Sequence, residues 1–478
     1  MLEAIESLSC STAAKYFLLK FADMSDGLPN YAGESFIAIS EQMGLSRNQL
    51  YRIACELEEK ELLERSEIPG ATRPVVLTIT GCPDNLQTVK ERLDNHQHGN
   101  LIRKILGCDG PAPPEDRYQL NIPQRVLLIA LLEQSNKGGM VRGLGYAKLA
   151  TLTGLDKQRI RRQVESLSSY QFIRQTLHGG YSSNFMGEYY NNFSLNLSHP
   201  KYGVAAPAST MVICLRAFPM IQEDSAEYVF HMEKECSGRN KKNLGGAKKN
   251  QQSLSAPWKF LHWVMFDLAS QTLANEWDNL PCATRTPRAP TNRWGCVLRA
   301  RAVDTPANKD VDFSRETFRF LYPEITIEQG TQKAVIKKIS KMAEDTLQPK
   351  RDKGNTSNKS SLESVLVGGV VINSWLLALG AKAMLGEYLL SSQNEDIDYC
   401  QILPPRKDSG GSVNALAIEI FWRVTHDTAK KPTTNILYFN GHEHRLEQCE
   451  DIYSIPFQLL EASGFAIPRK LPQIKKKA

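Results

Sequence analysis

The sequence lacks the signatures by which catalysis usually announces itself. It holds no G-x-x-x-x-G-K-[ST] phosphate loop, no G-x-G-x-x-G following a strand, no H-E-x-x-H zinc helix and no G-x-S-x-G nucleophile turn. Its ten cysteines, at 10, 55, 82, 108, 214, 236, 282, 296, 400 and 449, include no C-x-x-C pair, so the common zinc and dithiol spacings are missing. Cys55 and Cys214 lie in apolar runs and are expected as buried thiols in a reducing compartment. A long hydrophobic run is also missing. The nearest, residues 364–381, is 18 residues without a charge. It is broken by Gly368, Gly369, Asn373 and Ser374, and Lys382 and Glu387 follow it. A buried strand followed by a buried helix is expected there, not a membrane span. The opening MLEAIESLSC has neither the basic nor the apolar region of a secretion signal. The expectation is a cytoplasmic protein that is not an enzyme, with no cofactor, no metal and no membrane partner.

Charge of one sign is scarce as well. The net charge is +6 over 478 residues, so a polyanion must be met by local patches rather than by a global field. The apolar (41%) and charged (23%) fractions are those of a globular chain long enough for two to four domains.

What is present is a repeat. Residues 39–66, ISEQMGLSRNQLYRIACELEEKELLERS, recur 110 positions later as 149–176, LATLTGLDKQRIRRQVESLSSYQFIRQT. Gly44 falls on Gly154, Leu50 on Ile160, Leu57 on Leu167, Arg47 on Lys157 and Arg52 on Arg162. In each copy the spacing predicts a helix, a glycine turn and a second helix capped by Ser46 or Asp156. Inward stripes follow as Leu50, Ile53, Ala54 and Leu57, and as Ile160, Val164 and Leu167. Before each copy stands another apolar helix, 12–24 and 122–135; after each stands a hairpin, 61–67 with 74–80, and 172–177 with 189–197. The hairpin tips are 68–73 and 178–187.

The rest divides by composition. A loop with Gly27, Pro29 and Gly33 joins the first two helices. Residues 84–106 read as one further helix capped by Asp84, which closes a first domain of 1–106. The Pro/Gly-rich 107–121 is a linker, and 122–200 is the second domain. Residues 201–347 form a region with an Arg/Lys-rich surface, 348–361 a polar linker, and 362–478 a C-terminal mixed domain with a basic tail. Strands are expected over 210–215, 413–424 and 433–439, a buried helix over 258–277 and an amphipathic helix over 327–347. The acidic run 394–398 is expected as a loop, and His442 and His444 as exposed turn residues without a third metal ligand.

The repeat resembles winged helix-turn-helix domains. The pattern is carried by Ile39, Ser40, Gly44, Leu45 and Ser46, and again by Leu149, Ala150, Gly154, Leu155 and Asp156. The resemblance covers about residues 10–80 and 122–198. It implies a mainly α fold with α+β elements: two tandem winged helices followed by a mixed α/β region. It also implies that the helix after each turn enters the major groove of duplex DNA. Asn48, Arg52, Gln158, Arg161 and Arg162 are then the expected base readers, since Arg suits guanine and Asn or Gln suits adenine. Arg47, Lys157 and Arg159 would touch phosphate, and Arg73, Tyr181 and Ser182 at the wing tips would reach the backbone or minor groove. Arg285, Arg288 and Arg293, beside Trp294, form either a phosphate-tracking loop or an ordinary surface loop. The lysines at 333–341 fit a solvated face.

Two considerations stand against a simple assignment. Winged helices also dock proteins, and Glu56, Glu58, Glu59, Glu61 and Glu64 follow the first recognition helix and would repel phosphate. Expected function is therefore duplex DNA binding as a prokaryotic-type transcriptional regulator covering two sites about one helical turn apart. The alternatives are a replication initiator of a plasmid or integrated mobile element, and a non-catalytic adaptor of a nucleic-acid complex. Residues 201–478 would supply a homo-oligomer or protein-partner surface.

Overall fold

The computed structural model describes residues 1–33, 35–67, 75–81, 83–107, 120–182, 187–199, 201–202, 207, 209–215, 256–280, 337–338, 341–342, 370–371, 373–375, 377–379, 381–382, 385, 397–403, 415–422, 435–440 and 445–449. The fold is mixed α/β and forms two compact units. The first takes Met1–Thr176 and Tyr190–Pro207; the second takes Leu177–Tyr189 and the described residues from 209 onward.

The first unit is built on α1 (Thr12–Met24), whose N-cap Ser11 accepts from the backbone of Ala14. Tyr16, Phe17, Leu18, Leu19 and Phe21 are all buried, so this helix is apolar on nearly every side and must be enclosed. It is surrounded by α3 (Arg47–Glu59), α4 (Pro83–Asn95), α5 (Gly99–Leu106) and α6 (Ile122–Glu133). Between α1 and α3 lie β1 (Asn30–Gly33) and α2 (Phe36–Gln42). A hairpin of β2 (Leu63–Glu67) and β3 (Val75–Ile79) follows α3. In the second copy α6 is followed by β4 (Met140–Val141), α7 (Tyr146–Thr153), α8 (Lys157–Ser169) and β5 (Ile173–Leu177). The 110-position offset thus carries α1 onto α6, β1 onto β4, α2 onto α7, α3 onto α8 and β2 onto β5. The sheets match as well: the orders are β1-β3-β2 and β4-β8-β5, with β8 at Asn192–Leu195. The first helices of the two copies pack on each other. One hydrophobic core therefore serves both.

Local chemistry explains these boundaries. Capping boxes Ser46/Gln49 and Asn121/Gln124 open α3 and α6 with reciprocal hydrogen bonds of 2.9–3.2 Å. The helix pairs turn at Gly44 (φ +63°) and Gly154 (φ +72°), a left-handed geometry that glycine adopts without steric cost.

Several expectations are corrected in this unit. The loop after α1 contains an edge strand: β1 pairs antiparallel with β3, Tyr31 opposite Leu77. Four residues are too few to show a two-residue period. The single helix over 84–106 is two helices, and Asp84 lies inside the first turn of α4 rather than capping it. The break itself demands glycine, because a Cβ on Gly99 would lie 2.3 Å from the carbonyl oxygen of Leu93. Cys55 is half-buried on the outer side of α3, not a core thiol.

At that break His98 is buried and its Nε2 lies 2.9 Å from the carbonyl oxygen of Asn136. Burial pushes its imidazole down from 6.5 to about 4; the Asn136 carbonyl works against this and His96 adds to it. The depressed pKa means that the unfolded chain binds the extra proton first. The contribution of His98 is whole above about pH 6.5 and is lost as pH falls through about 4, a loss approaching roughly 3 kcal/mol. Urea midpoints measured from pH 7 to 4 should fall for the wild type more steeply than for His98→Gln. Parallel profiles would refute it.

The second unit holds a five-stranded sheet of β9 (Ser209–Leu215), β10 (Ile397–Leu403), β11 (Ala415–Trp422), β12 (Asn435–Asn440) and β13 (Arg445–Cys449). The order is β10-β11-β9-β12-β13, antiparallel except for the parallel pair β9 and β12. Helix α9 (Ala256–Asn275) packs on β10, and Ser270 Oγ accepts from the backbone N–H of Ile402 at 2.9 Å. The unit also includes the ribbon of β6 (Gly180–Ser182) and β7 (Gly187–Tyr189), with Tyr189 against Phe260 of α9 at 5.2 Å between ring centroids.

Here too the structure departs from expectation. The long tip 178–187 is partly ordered as that ribbon, and the closing strand begins at Asn192 rather than Tyr189. Ile397 and Asp398, taken as part of an acidic loop, begin β10. Strand β13 was not foreseen. In the apolar 362–390, Val370 and Val371 are helical, as are the buried Asn373 and Ser374. The strand expected before them, and His442 and His444, lie outside the described residues. Among the described residues no helix is long and apolar enough to cross a membrane, and no group of three or more His, Cys, Asp or Glu is placed to hold a metal ion.

Candidate nucleic-acid interface

The cationic side chains converge on α8. Asp156 caps it by accepting from the backbone of Arg159 at 2.8 Å. Ile160, Val164 and Leu167 are buried, and the amide of Gln124 on α6 donates to Ser166 Oγ at 2.8 Å. Fixing that face leaves Lys157, Gln158, Arg159, Arg161 and Arg162 exposed together on the other side. Lys157, Gln158 and Arg162 have no hydrogen-bond or ion-pair partner among the described residues. Arg159 lies 3.7 Å from Asp156, an exposed pair worth little. Arg161 is held differently: its guanidinium carbon stands 5.6 Å from the ring centroid of Tyr146, the first residue of α7. Burial raises the Tyr146 phenol above its ordinary range, and the Arg161 charge opposes this.

The equivalent face of α3 is differently disposed. Arg47, Asn48 and Arg52 are exposed and have no partner among the described residues. Tyr51 occupies the position equivalent to Arg161 and is 56% exposed. Arg65 of β2 lies over its ring at 5.3 Å and also forms a two-pronged ion pair with Glu58. The hydrogen bonds that Arg65 donates to Glu58 raise its pKa, with burial opposing. The cation over Tyr51 is therefore already neutralised. Glu56 is also occupied, accepting from the backbone N–H and hydroxyl of Ser11 at 2.7 and 2.5 Å. Of the five acids expected to repel phosphate, Glu59, Glu61 and Glu64 remain exposed.

Tyr181 and Ser182 lie on β6, opposite Glu188 and Gly187, in the second unit. Arg73, Arg285, Arg288 and Arg293 lie outside the described residues. Lys337, Lys338 and Lys341 are exposed helical positions, with Lys338 paired to Glu276.

Sequence reasoning missed Tyr146, the Arg65–Glu58 pair and two buried lysines of α1. Lys15 Nζ donates to the carbonyl oxygens of Thr151 and Leu152, at 2.6 and 3.1 Å, and Lys20 Nζ to that of Gly107 at 3.0 Å. Each thus satisfies otherwise unpaired carbonyls at a helix C-terminus. Burial lowers the pKa of Lys15. The only sequence hint was two lysines inside an otherwise apolar helix.

No protein-family model matches this chain, and comparison with curated proteins and with solved structures finds no match.

Proposed function

We propose that the protein binds double-stranded DNA through tandem winged helices and acts as a prokaryotic-type transcriptional regulator, with α8 as the principal reader. The observation that carries this is the exposed face of α8. It presents Lys157, Arg159, Arg161 and Arg162 beside Gln158, with Glu165 the one exposed acid of that helix. Supporting it, the order of helix, strand, helix, glycine turn, helix and hairpin occurs twice at one offset, which suits delivery of the third helix to the major groove. Arg162 and Gln158 reach base edges, Arg161 does so from its seat on Tyr146, and Lys157 and Arg159 meet phosphate.

A second reading concerns α3 alone. Its exposed Tyr51, beneath the neutralised Arg65 of β2, favours a partner-docking role for the first copy, as in an adaptor subunit.

The test is salt. Each neutralised phosphate contributes about −0.9 to the slope of log affinity against log salt, so the two phosphate contacts of α8, Lys157 and Arg159, predict roughly −2. Fluorescence anisotropy with duplexes selected from a random pool should show that slope. Binding that ignores salt, or no binding, overturns the proposal.

A further inference from the structure

Residues 9–15 touch the helix-turn-helix of both copies at once. On one side, Ser11 donates from its backbone and hydroxyl to Glu56 of α3 at 2.7 and 2.5 Å. Lys60, just past the end of α3, donates to the carbonyl of Ser9. On the other side, Lys15 donates to the last carbonyls of α7 at 2.6 and 3.1 Å. Gly154, in the turn between α7 and α8, backs onto the same stretch. A Cβ there would lie 3.0 Å from the carbonyl oxygen of Cys10 and 3.2 Å from the amide nitrogen of Thr12.

These contacts leave little slack. They are directional and mostly involve backbone groups; those to Glu56 and Lys60 are exposed, whereas Lys15 is 2% exposed and its ammonium is held by the two carbonyls of α7. Turning α7 and α8 relative to α3 would strip that ammonium of its acceptors or drive Gly154 into the start of α1.

We propose that residues 9–15 fix the separation of α3 from α8, so that the protein reads a bipartite duplex with one permitted spacing between half-sites, and that Glu56 and Lys15 are the positioning residues enforcing it. This rests on the DNA-reading role proposed above, with α3 engaging the same duplex as α8. One added base pair moves a half-site by about 3.4 Å along the axis and roughly 34° around it. A rigid reader cannot follow both displacements.

The experiment is selection of duplexes from a random pool by the full chain, followed by a series in which base pairs are inserted or deleted between the enriched half-sites. The expected motif has two parts at one spacing, and a one-base-pair change weakens wild-type binding by about tenfold or more, the equivalent of losing a good base contact. Glu56→Ala and Lys15→Met should bind the parent spacing within about threefold of wild type yet lose less than about threefold on the altered spacings. Glu56→Gln, which keeps an acceptor for Ser11, should restore most of the preference. A one-part motif, wild-type indifference to spacing, or folded variants with wild-type preference overturns the proposal while leaving DNA reading in place. If a variant fails to fold, the wild-type series alone decides. No salt-sensitive enrichment at all removes both.

Discussion

Replacing Arg161 and Arg162 together with alanine is expected to lower affinity for a selected duplex by on the order of a hundredfold or more. A good bidentate contact to a base is worth about 1–3 kcal/mol, and about 1.4 kcal/mol is tenfold. The two arginines differ in how they should fail. Arg162 has no partner among the described residues, so its removal subtracts a DNA contact and little else. Arg161 also loses its place over Tyr146, 5.6 Å away, which loosens the start of α7. Neither supports the core, since the buried stripe of α8 is Ile160, Val164 and Leu167. The melting temperature of the double variant should therefore stay close to that of the wild type. Arg52→Ala, on the helix whose exit is acid-rich, should cost less than about tenfold, short of a full bidentate contact. A gel shift in which the double variant binds as tightly as the wild type would remove α8 from the interface.

Phe17→Ala should destabilise the first unit by about 3–5 kcal/mol, the usual cost of emptying a fully buried phenylalanine site. Phe17 has no exposed surface and lies 5.6 Å from Phe21 between ring centroids. The informative part is where the loss appears. Because α1 is packed by α3, α4, α5 and α6, its weakening should reach both copies equally. Hydrogen exchange at the buried amides of α3 and α8 should accelerate together, by about two to four orders of magnitude at about 1.4 kcal/mol per decade. The described tryptophans, Trp258, Trp263, Trp277, Trp375 and Trp422, all lie in the second unit, so indole fluorescence serves as the internal control. Faster exchange in α3 with α8 unchanged would mean that the copies have separate cores.

The parts of the fold that were legible are those written in local chemistry. Periodic apolar residues, the caps Ser46 and Asp156, and the glycines at 44 and 154 gave α1, α2, α3, α6, α7 and α8 to within a residue or two. The exposed face of α8 followed from its buried one. What could not be read depends on where the chain folds back on itself, over a few positions or over many. Arg65 and Glu58 meet across a helix–strand turn, and Lys15 meets Thr151 from 136 positions away. The α4–α5 break falls at a glycine, but the need for it shows only in the fold, where Gly99 lies against the carbonyl of Leu93. Strand β10 begins in an acidic stretch because its pairing with β11 outweighs the local composition.

The lysine at position 15 bears on whether either copy can stand alone. The first copy supplies the ammonium that closes a helix of the second. The second supplies the glycine whose missing Cβ leaves room for the start of the first. Either half without the other would expose a group that its neighbour now satisfies.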